Sequence, residues 1–241
     1  MPTKNLETRL SLMDKNKFDH STERMDEMLE SSHKGISPWR VFKIMSEFVS
    51  GFEFISQYDY KKAVTFFGSA RYKSDNTNYK EAKKLASALA RKKYVVITGG
   101  GPGIMEAANR GAHEAKGISV GINIKNISGG FEDANPFIHR TESFNYFFTR
   151  KVMLAFASQI YIFFPGGYGT LDELFEMLVL VQKEKIKRTP IILVNKKFWS
   201  PLKKWIDEFL FTENLITAKD KEIYKIVDSA EEAMKVVSKK I

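Results

Sequence analysis

Apolar runs that alternate with helical patterns constrain the fold of this chain more than any other feature. The runs are apolar throughout, which indicates strands buried on both faces of a sheet. They cover Ala63–Phe67, Tyr94–Thr98, Ile118–Ile124, Pro136–Arg140, Gln159–Phe164, Pro190–Val194 and, more weakly, Tyr224–Val227. The helical patterns between most of them cover Tyr79–Lys92, Gly103–Ala115, Phe144–Ser158, Thr170–Glu184, Ser200–Leu210 and Ala230–Lys239.

Repeated β–α units imply parallel strands joined by right-handed crossovers. The sequence therefore predicts an α/β fold, a doubly wound Rossmann-like parallel sheet, for residues 60–241. Residues 1–59 are predicted to be an N-terminal helical extension. Within it, Ser37 and Pro38 are typical of a helix N-cap and first helical position. The apolar stripe that follows, from Trp39 to Ile55, is typical of core packing or of a subunit contact.

Composition excludes several classes of function. No apolar run approaches the roughly 20 residues of a membrane span, and the first residues lack the apolar core of a secretory leader. We therefore expect a cytoplasmic protein with no membrane partner. The net charge of +9 comes largely from scattered lysines without an arginine-rich tract, so we expect no nucleic-acid partner. The chain has no cysteine, and its four histidines lack metal-like spacing, so we expect no metal.

Three glycine-rich segments follow the ends of predicted strands, where the ligands of such sheets bind. They are Phe67–Arg71, Thr98–Glu106 and Pro165–Glu173. The second has Ile104 where a dinucleotide fingerprint would have glycine, and no Gly-Lys-Ser/Thr follows as in a P-loop. The pattern thus favours a mononucleotide or a phosphosugar over NAD or hydrolysis of a nucleoside triphosphate.

The third segment combines an anion site with an acid. A strand that turns through glycines into a helix presents unpaired N–H groups and the positive end of the helix dipole. Glu173 follows about one turn into the predicted helix. Thr170 and Glu173 also match a capping box, in which Thr170 is the N-cap and Glu173 bonds back to it. Capping and chemistry can coexist, and we predict a phosphorylated ligand with Glu173 beside it.

Arg150 lies on an otherwise apolar helix face, three residues after Phe147 and four before Leu154. A cation in that position must extend to solvent, pair with an anion or contact a ligand. The periodicity alone favours pairing with a carboxylate.

Together these motifs resemble the LOG ("Lonely Guy") family of cytokinin riboside 5′-monophosphate phosphoribohydrolases, long labelled lysine decarboxylases. The shared motifs are Phe-x-Gly-Ser ending at Ser69, Gly-Gly-Gly-Pro-Gly-Ile-Met-Glu from Gly99, Arg-Lys at Arg150, and Pro-Gly-Gly-x-Gly-Thr-x-x-Glu ending at Glu173. The resemblance covers about Ala63 to Val194. In addition, Pro38–Phe54 resembles the helical extension of the longer bacterial members.

The resemblance implies an AMP nucleosidase-like N-glycosidase without a cofactor. It would cleave AMP or an N6-modified AMP to free base and ribose 5-phosphate, as in cytokinin biosynthesis. Arg150 and Glu173 would be catalytic. The substrate would lie against Gly68, Ser69, Gly99, Gly100, Gly101, Gly103, Met105, Lys151, Gly166, Gly167, Gly169 and Thr170. The resemblance also implies a homodimer or higher homo-oligomer with active sites at the subunit interface.

Two other functions are compatible with parts of the sequence. Molybdenum-cofactor carriers have a similar fold, so the chain could be a non-catalytic carrier or sensor of a phosphorylated ligand such as a nucleotide or that cofactor. The segment Ser31–Lys34 also matches the Ser-x-His-Lys motif of some pyridoxal-phosphate decarboxylases. The short polar stretch before Lys34 leaves no room for their cofactor domain, which disfavours a decarboxylase.

Overall fold

The computed structural model describes residues 38–59, 62–125 and 134–239. Its strands are β1 (Ala63–Phe67), β2 (Val95–Thr98), β3 (Ser119–Ile124), β4 (Arg140–Phe144), β5 (Ile160–Phe163), β6 (Ile191–Val194) and β7 (Tyr224–Val227). They form one seven-stranded sheet in the order β4-β3-β2-β1-β5-β6-β7. Every neighbouring pair is parallel, as the sequence predicts.

Helices connect most of the strands. They are α1 (Pro38–Ser56), α2 (Thr77–Arg91), α3 (Ile104–Glu114), α4 (Phe147–Phe156), α5 (Tyr168–Gln182), α6 (Lys196–Trp205) and α7 (Ala230–Ser238). A π-helical segment, Ile206–Phe211, continues α6, and a short 3₁₀ helix, Asp220–Glu222, precedes β7. None of the helices in the described part of the chain is both long and apolar enough to cross a bilayer.

The core lies on both faces of the sheet. On one face Val64 and Phe66 of β1 pack with apolar residues of α2, α3 and α7. On the other face Ala63 and Phe67 pack with residues of α4, α5 and α6. Successive residues of a strand point to opposite faces, and both faces are covered by helices. This arrangement confirms the predicted doubly wound Rossmann-like fold.

Strand β4 corrects the prediction of a strand at Pro136–Arg140. The observed strand begins where the predicted one ends, and Pro136 and Phe137 lie in a turn. Among the described strands β4 pairs only with β3 and forms an edge of the sheet. The first residues of β4 are exposed and polar, so this strand lacks the continuous apolar run of a buried strand. The apolar residues before β4 do not form a strand.

Helix α6 is also displaced from its prediction. It begins at Lys196 rather than Ser200, because Asn195 caps it and accepts a hydrogen bond from the Phe198 amide at 3.1 Å. Pro201 lies inside the helix. The predicted helical residues that follow, up to Leu210, belong to the π-helical segment.

The chain divides into two units between Ser46 and Glu47, within α1. Of the first unit the structure describes Pro38–Ser46, which is helical from Pro38, as predicted. The second unit contains the rest of α1 and the whole sheet. The boundary at residues 59 and 60 stays a prediction. Ser37 and the segment Ser31–Lys34 lie outside the described residues.

Candidate active site

The strand order reverses between β1 and β5, and this switch point is where doubly wound sheets bind ligands. Two hydrogen bonds join the loops that meet there. The Ser69 amide donates to the carbonyl of Pro165 at 3.0 Å, and the Ile104 amide donates to the carbonyl of Ser69, also at 3.0 Å. All three glycine-rich segments thus converge at one edge of the sheet.

A cleft of about 650 Å³ opens at this edge. Its lining includes both predicted catalytic residues, Arg150 and Glu173. Seven predicted substrate-binding residues also line it, namely Gly68, Ser69, Gly99, Met105, Gly167, Gly169 and Thr170. A mononucleotide is a ligand of suitable size for a cleft of this volume.

The N-terminus of α5 faces the cleft and lacks a side-chain cap. Gly167 is the N-cap, and the first helical hydrogen bond runs from the Leu171 amide to the Gly167 carbonyl at 3.1 Å. The amides of the first turn therefore have no acceptor within the helix. The predicted capping box is wrong: Thr170 lies inside the helix, and Glu173 is a full turn further on. Because no side chain caps this helix end, its first amides are available to an anion.

Two glycines at the start of α5 have empty space where a side chain would be. A Cβ added at Gly167 or Gly169 would meet nothing within 4 Å, and neither position has the positive φ that favours glycine. At Gly166, in contrast, a Cβ would collide with the Thr170 side chain. Packing against Thr170 thus explains why position 166 is glycine. Gly167 and Gly169 instead leave space open in front of the helix.

Glu173 is the acid of the cleft, and burial raises its pKa from 4.5 to about 7. The charge of Arg150 opposes this rise, and the neighbouring Asp172 adds to it. The physical cause is desolvation, which disfavours the ionised carboxylate. A carboxyl group with a pKa near 7 can both accept and release a proton at neutral pH.

Arg150 is buried, with 7% of its surface exposed. Its Nε donates to the carbonyl of Ile122 at 2.9 Å, and among the described residues no carboxylate forms an ion pair with it. The partner that the described residues supply is thus a backbone carbonyl, and a carboxylate partner stays a prediction. The guanidinium lies over Gly99, where a Cβ would collide with Nη2. One edge of the guanidinium is thus fixed to the sheet, and the group borders the cleft.

Asn135 forms hydrogen bonds with the glycine loop that follows β2. The Asn135 side-chain amide donates to the carbonyls of Gly100 and Gly101, each at 3.0 Å, and to Asn109 Oδ1 at 2.9 Å. Gly103 adopts φ +71° and packs against the backbone of Ser69 so closely that a Cβ would collide. These contacts shape the loop.

Five predicted binding residues do not line the cleft. Gly100, Gly101, Gly103 and Gly166 lie in the loops behind its surface. Lys151 forms ion pairs with Asp172 at 2.8 Å and Glu176 at 3.4 Å. It therefore ties α4 to α5.

Further residues of the cleft were not predicted. Arg71 lies two residues after Ser69, and its backbone amide donates to Ser69 Oγ at 3.1 Å. Tyr168 lies inside the glycine motif with 92% of its surface exposed. Ile124 and Phe147 add an apolar wall beside Met105. Arg71 and Tyr168 could have been found because Arg71 ends one glycine-rich segment and Tyr168 interrupts another. Ile124 and Phe147, in contrast, look like ordinary core positions.

The fold and the site define a Rossmann-like protein with a cleft at the switch point of its sheet, beside a helix N-terminus that has no side-chain cap. A family model described as "Possible lysine decarboxylase" matches residues 105–237, more than half of the chain. The chain belongs to this family, which is the LOG family, and the predicted resemblance is confirmed.

Several curated relatives carry the name cytokinin riboside 5′-monophosphate phosphoribohydrolase. One from Oryza sativa subsp. japonica is 26% identical over 183 residues, which is 75% of this chain and 72% of the relative. One from Arabidopsis thaliana is 29% identical, over 72% of this chain and 75% of the relative. One from Rhodococcoides fascians is 27% identical, over 65% of this chain and 79% of the relative.

Solved structures of other proteins share the fold. The molybdenum cofactor binding protein of Rippkaea orientalis aligns with a TM-score of 0.56 at 23% identity, over 74% of this chain and 96% of that protein. The molybdenum cofactor carrier protein of Chlamydomonas reinhardtii aligns with a TM-score of 0.54 at 18% identity, over 74% and 97% of the two chains. At these identities the likeness establishes the architecture alone.

Proposed function

We propose that this protein hydrolyses the N-glycosidic bond of a nucleoside 5′-monophosphate, AMP or an N6-modified AMP, to free base and ribose 5-phosphate. One observation carries the proposal: Glu173, with a pKa near 7, and the guanidinium of Arg150 line the same cleft as an uncapped helix N-terminus. The names of the relatives support the same reaction.

The distribution of polar and apolar groups in the cleft suggests how the substrate lies. The 5′-phosphate would accept hydrogen bonds from the amides at the start of α5, in the space that Gly167 and Gly169 leave open. Arg71, which is exposed on the cleft wall, would add a positive charge. The base would then contact the apolar wall at Met105 and Phe147, which leaves the ribose near Glu173.

Cleavage of a glycosidic bond develops positive charge on the anomeric carbon. In the proposed reaction a water oxygen bonds to that carbon, and the electron pair of the broken C–N bond goes to the base. The ionised form of Glu173 would orient this water and accept its proton, or stabilise the sugar cation through the ribose hydroxyls. Arg150 would polarise groups around the departing base, which takes up a proton as it leaves.

The direct test is incubation of the purified protein with AMP, followed by chromatography of adenine and ribose 5-phosphate. GMP, CMP, a prenylated AMP and adenosine serve as parallel substrates, and lysine tests the decarboxylase alternative. Release of base from a monophosphate but not from adenosine supports both the reaction and the phosphate site. Tight nucleotide binding without release of any base would reject the enzyme in favour of the carrier or sensor.

A homodimer is part of the proposal. Val49, Phe52 and Phe156 are all exposed on the second unit, and the rings of Phe52 and Phe156 lie 6.2 Å apart. Clustered apolar side chains at a surface favour association with another protein. Sedimentation or light scattering of the full chain gives the oligomeric state, and a monomer at micromolar concentration contradicts this part of the proposal.

A further inference from the structure

A carboxylate in α1 is buried outside the cleft. Glu47 is only 8% exposed, in a helix whose buried positions are otherwise Gly51 and Phe54. A buried charge is costly unless it is paired or fully hydrogen-bonded. No lysine or arginine forms an ion pair with Glu47 among the described residues, so its hydrogen bonds must explain why it lies there.

Both oxygens of Glu47 accept hydrogen bonds at the turn that enters α4. Oε1 accepts from the backbone amide of Asn145 at 2.6 Å and from its side-chain amide at 2.7 Å. Oε2 accepts from the amide of Tyr146 at 3.3 Å and from the hydroxyl of Thr149 at 2.5 Å. Four donors from three residues thus hold one carboxylate.

Helix α4 supplies no such group from its own sequence. Its N-cap, Tyr146, makes no side-chain capping bond, and no acidic residue lies in its first turn. A negative charge near a helix N-terminus is stabilised by the helix dipole. Glu47 therefore provides from another helix both the acceptors and the charge that α4 lacks.

The same turn leads directly to the predicted catalytic arginine. The amide of Arg150 donates to the carbonyl of Tyr146 at 3.2 Å, and the amide of Tyr146 donates to Glu47. Thr149, the residue before Arg150, also donates to Glu47. Movement of the Glu47 carboxylate would therefore shift the first turn of α4 and, with it, the Arg150 guanidinium.

We propose that Glu47 is a positioning residue, which fixes the N-terminus of α4 so that Arg150 has its place at the cleft. The inference rests on the proposed function for its catalytic consequence. It also gives the N-terminal helix a part in the reaction, although none of its residues lines the cleft. Displacement of a catalytic group by about 1 Å can cost about 100-fold in rate, so a loss of anchoring is measurable.

The test compares Glu47→Gln with Glu53→Gln, the same substitution at an exposed position of the same helix. The glutamine at position 47 would turn an N–H₂ group towards the donors at Tyr146 and Thr149. We expect the Glu47→Gln variant to lose at least about tenfold in kcat for AMP with a KM change of about twofold or less. Glu53→Gln should match the wild type. Glu47→Asp, which keeps the charge, should recover part of the loss.

The decisive experiment is the double variant that combines Glu47→Gln with Arg150→Lys. If Glu47 acts through Arg150, its effect on kcat should largely disappear when the guanidinium is already absent. Effects on kcat that multiply in the double variant would overturn the proposal. So would a Glu47→Gln variant with the kcat of the wild type.

A measurement independent of turnover separates this inference from the proposed function. Hydrogen exchange of the segment 145–152 should be faster in Glu47→Gln than in Glu53→Gln, with exchange in β1 unchanged. If the wild-type protein releases no base, the proposed function fails, and exchange alone then decides whether Glu47 anchors α4. Equal exchange in the two variants would reject the anchoring itself.

Discussion

Glu173→Gln should make the protein more stable at alkaline pH while abolishing turnover. The carboxyl of Glu173 has a pKa of about 7 in the folded protein against 4.5 for the free side chain. The folded state thus binds this proton more tightly than the unfolded state does. Stability from this group is present below the unfolded value of 4.5 and is lost as the pH rises through 7.

The magnitude follows from the size of the shift. Each pKa unit corresponds to about 1.4 kcal/mol, so raising the pKa from 4.5 to about 7 costs about 3.5 kcal/mol once Glu173 is ionised. Glutamine has nearly the shape of the protonated acid but never ionises. For a domain of this size a gain of about 3.5 kcal/mol corresponds to a rise in Tm of about 7 to 14 °C.

The assay is thermal or urea unfolding of both proteins at about pH 4 and about pH 8, at one fixed protein concentration because an oligomer links stability to concentration. Glu176→Gln is the control, since it removes a carboxylate one turn further along α5 that pairs with Lys151 at 3.4 Å. It should cost no more than about 1 kcal/mol. If Glu173→Gln shows no gain at pH 8, or the same gain at pH 4, the raised pKa is refuted. Full activity of Glu173→Gln would refute its role in catalysis.

Four further predictions concern the reaction and the surface. If Glu173 acts in its ionised form, kcat/KM for AMP should rise with pH through a pKa of about 7, and a profile flat from pH 5 to 9 would contradict this. Arg71→Ala should raise KM for AMP about tenfold or more, with a smaller effect at high salt; an unchanged KM would exclude Arg71 from phosphate binding. Gly169→Ala should stabilise the helix by up to about 1 kcal/mol and yet weaken AMP binding, whereas Gly166→Ala should destabilise the protein; the two Tm values and AMP titrations distinguish these outcomes. Phe156→Asp should shift light scattering from dimer to monomer, and an unchanged mass would move the interface elsewhere.

The sequence predicts the fold well because most strands are buried on both faces. Continuous apolar runs such as Ile191–Val194 can then be recognised as strands from the sequence alone, without knowledge of the neighbouring strands. The prediction fails at β4, because an edge strand needs no such run. It also fails at the start of α5, where the glycines leave the helix without a side-chain cap, and Thr170 and Glu173 match a capping box that does not form.

For the catalytic candidates, the sequence predicts their position at the cleft but not the pKa of Glu173 or the hydrogen-bond partner of Arg150. That Glu173 and Arg150 border one cleft follows from parallel strands whose ends meet at one edge. The pKa of Glu173 depends instead on how much of the protein surrounds its carboxyl, and the partner of Arg150 is a backbone carbonyl on β3. Glu47 lies 98 residues from Asn145 in the chain, so no local pattern connects them. Local spacing thus identifies which residues reach the site, whereas their protonation and alignment depend on distant contacts.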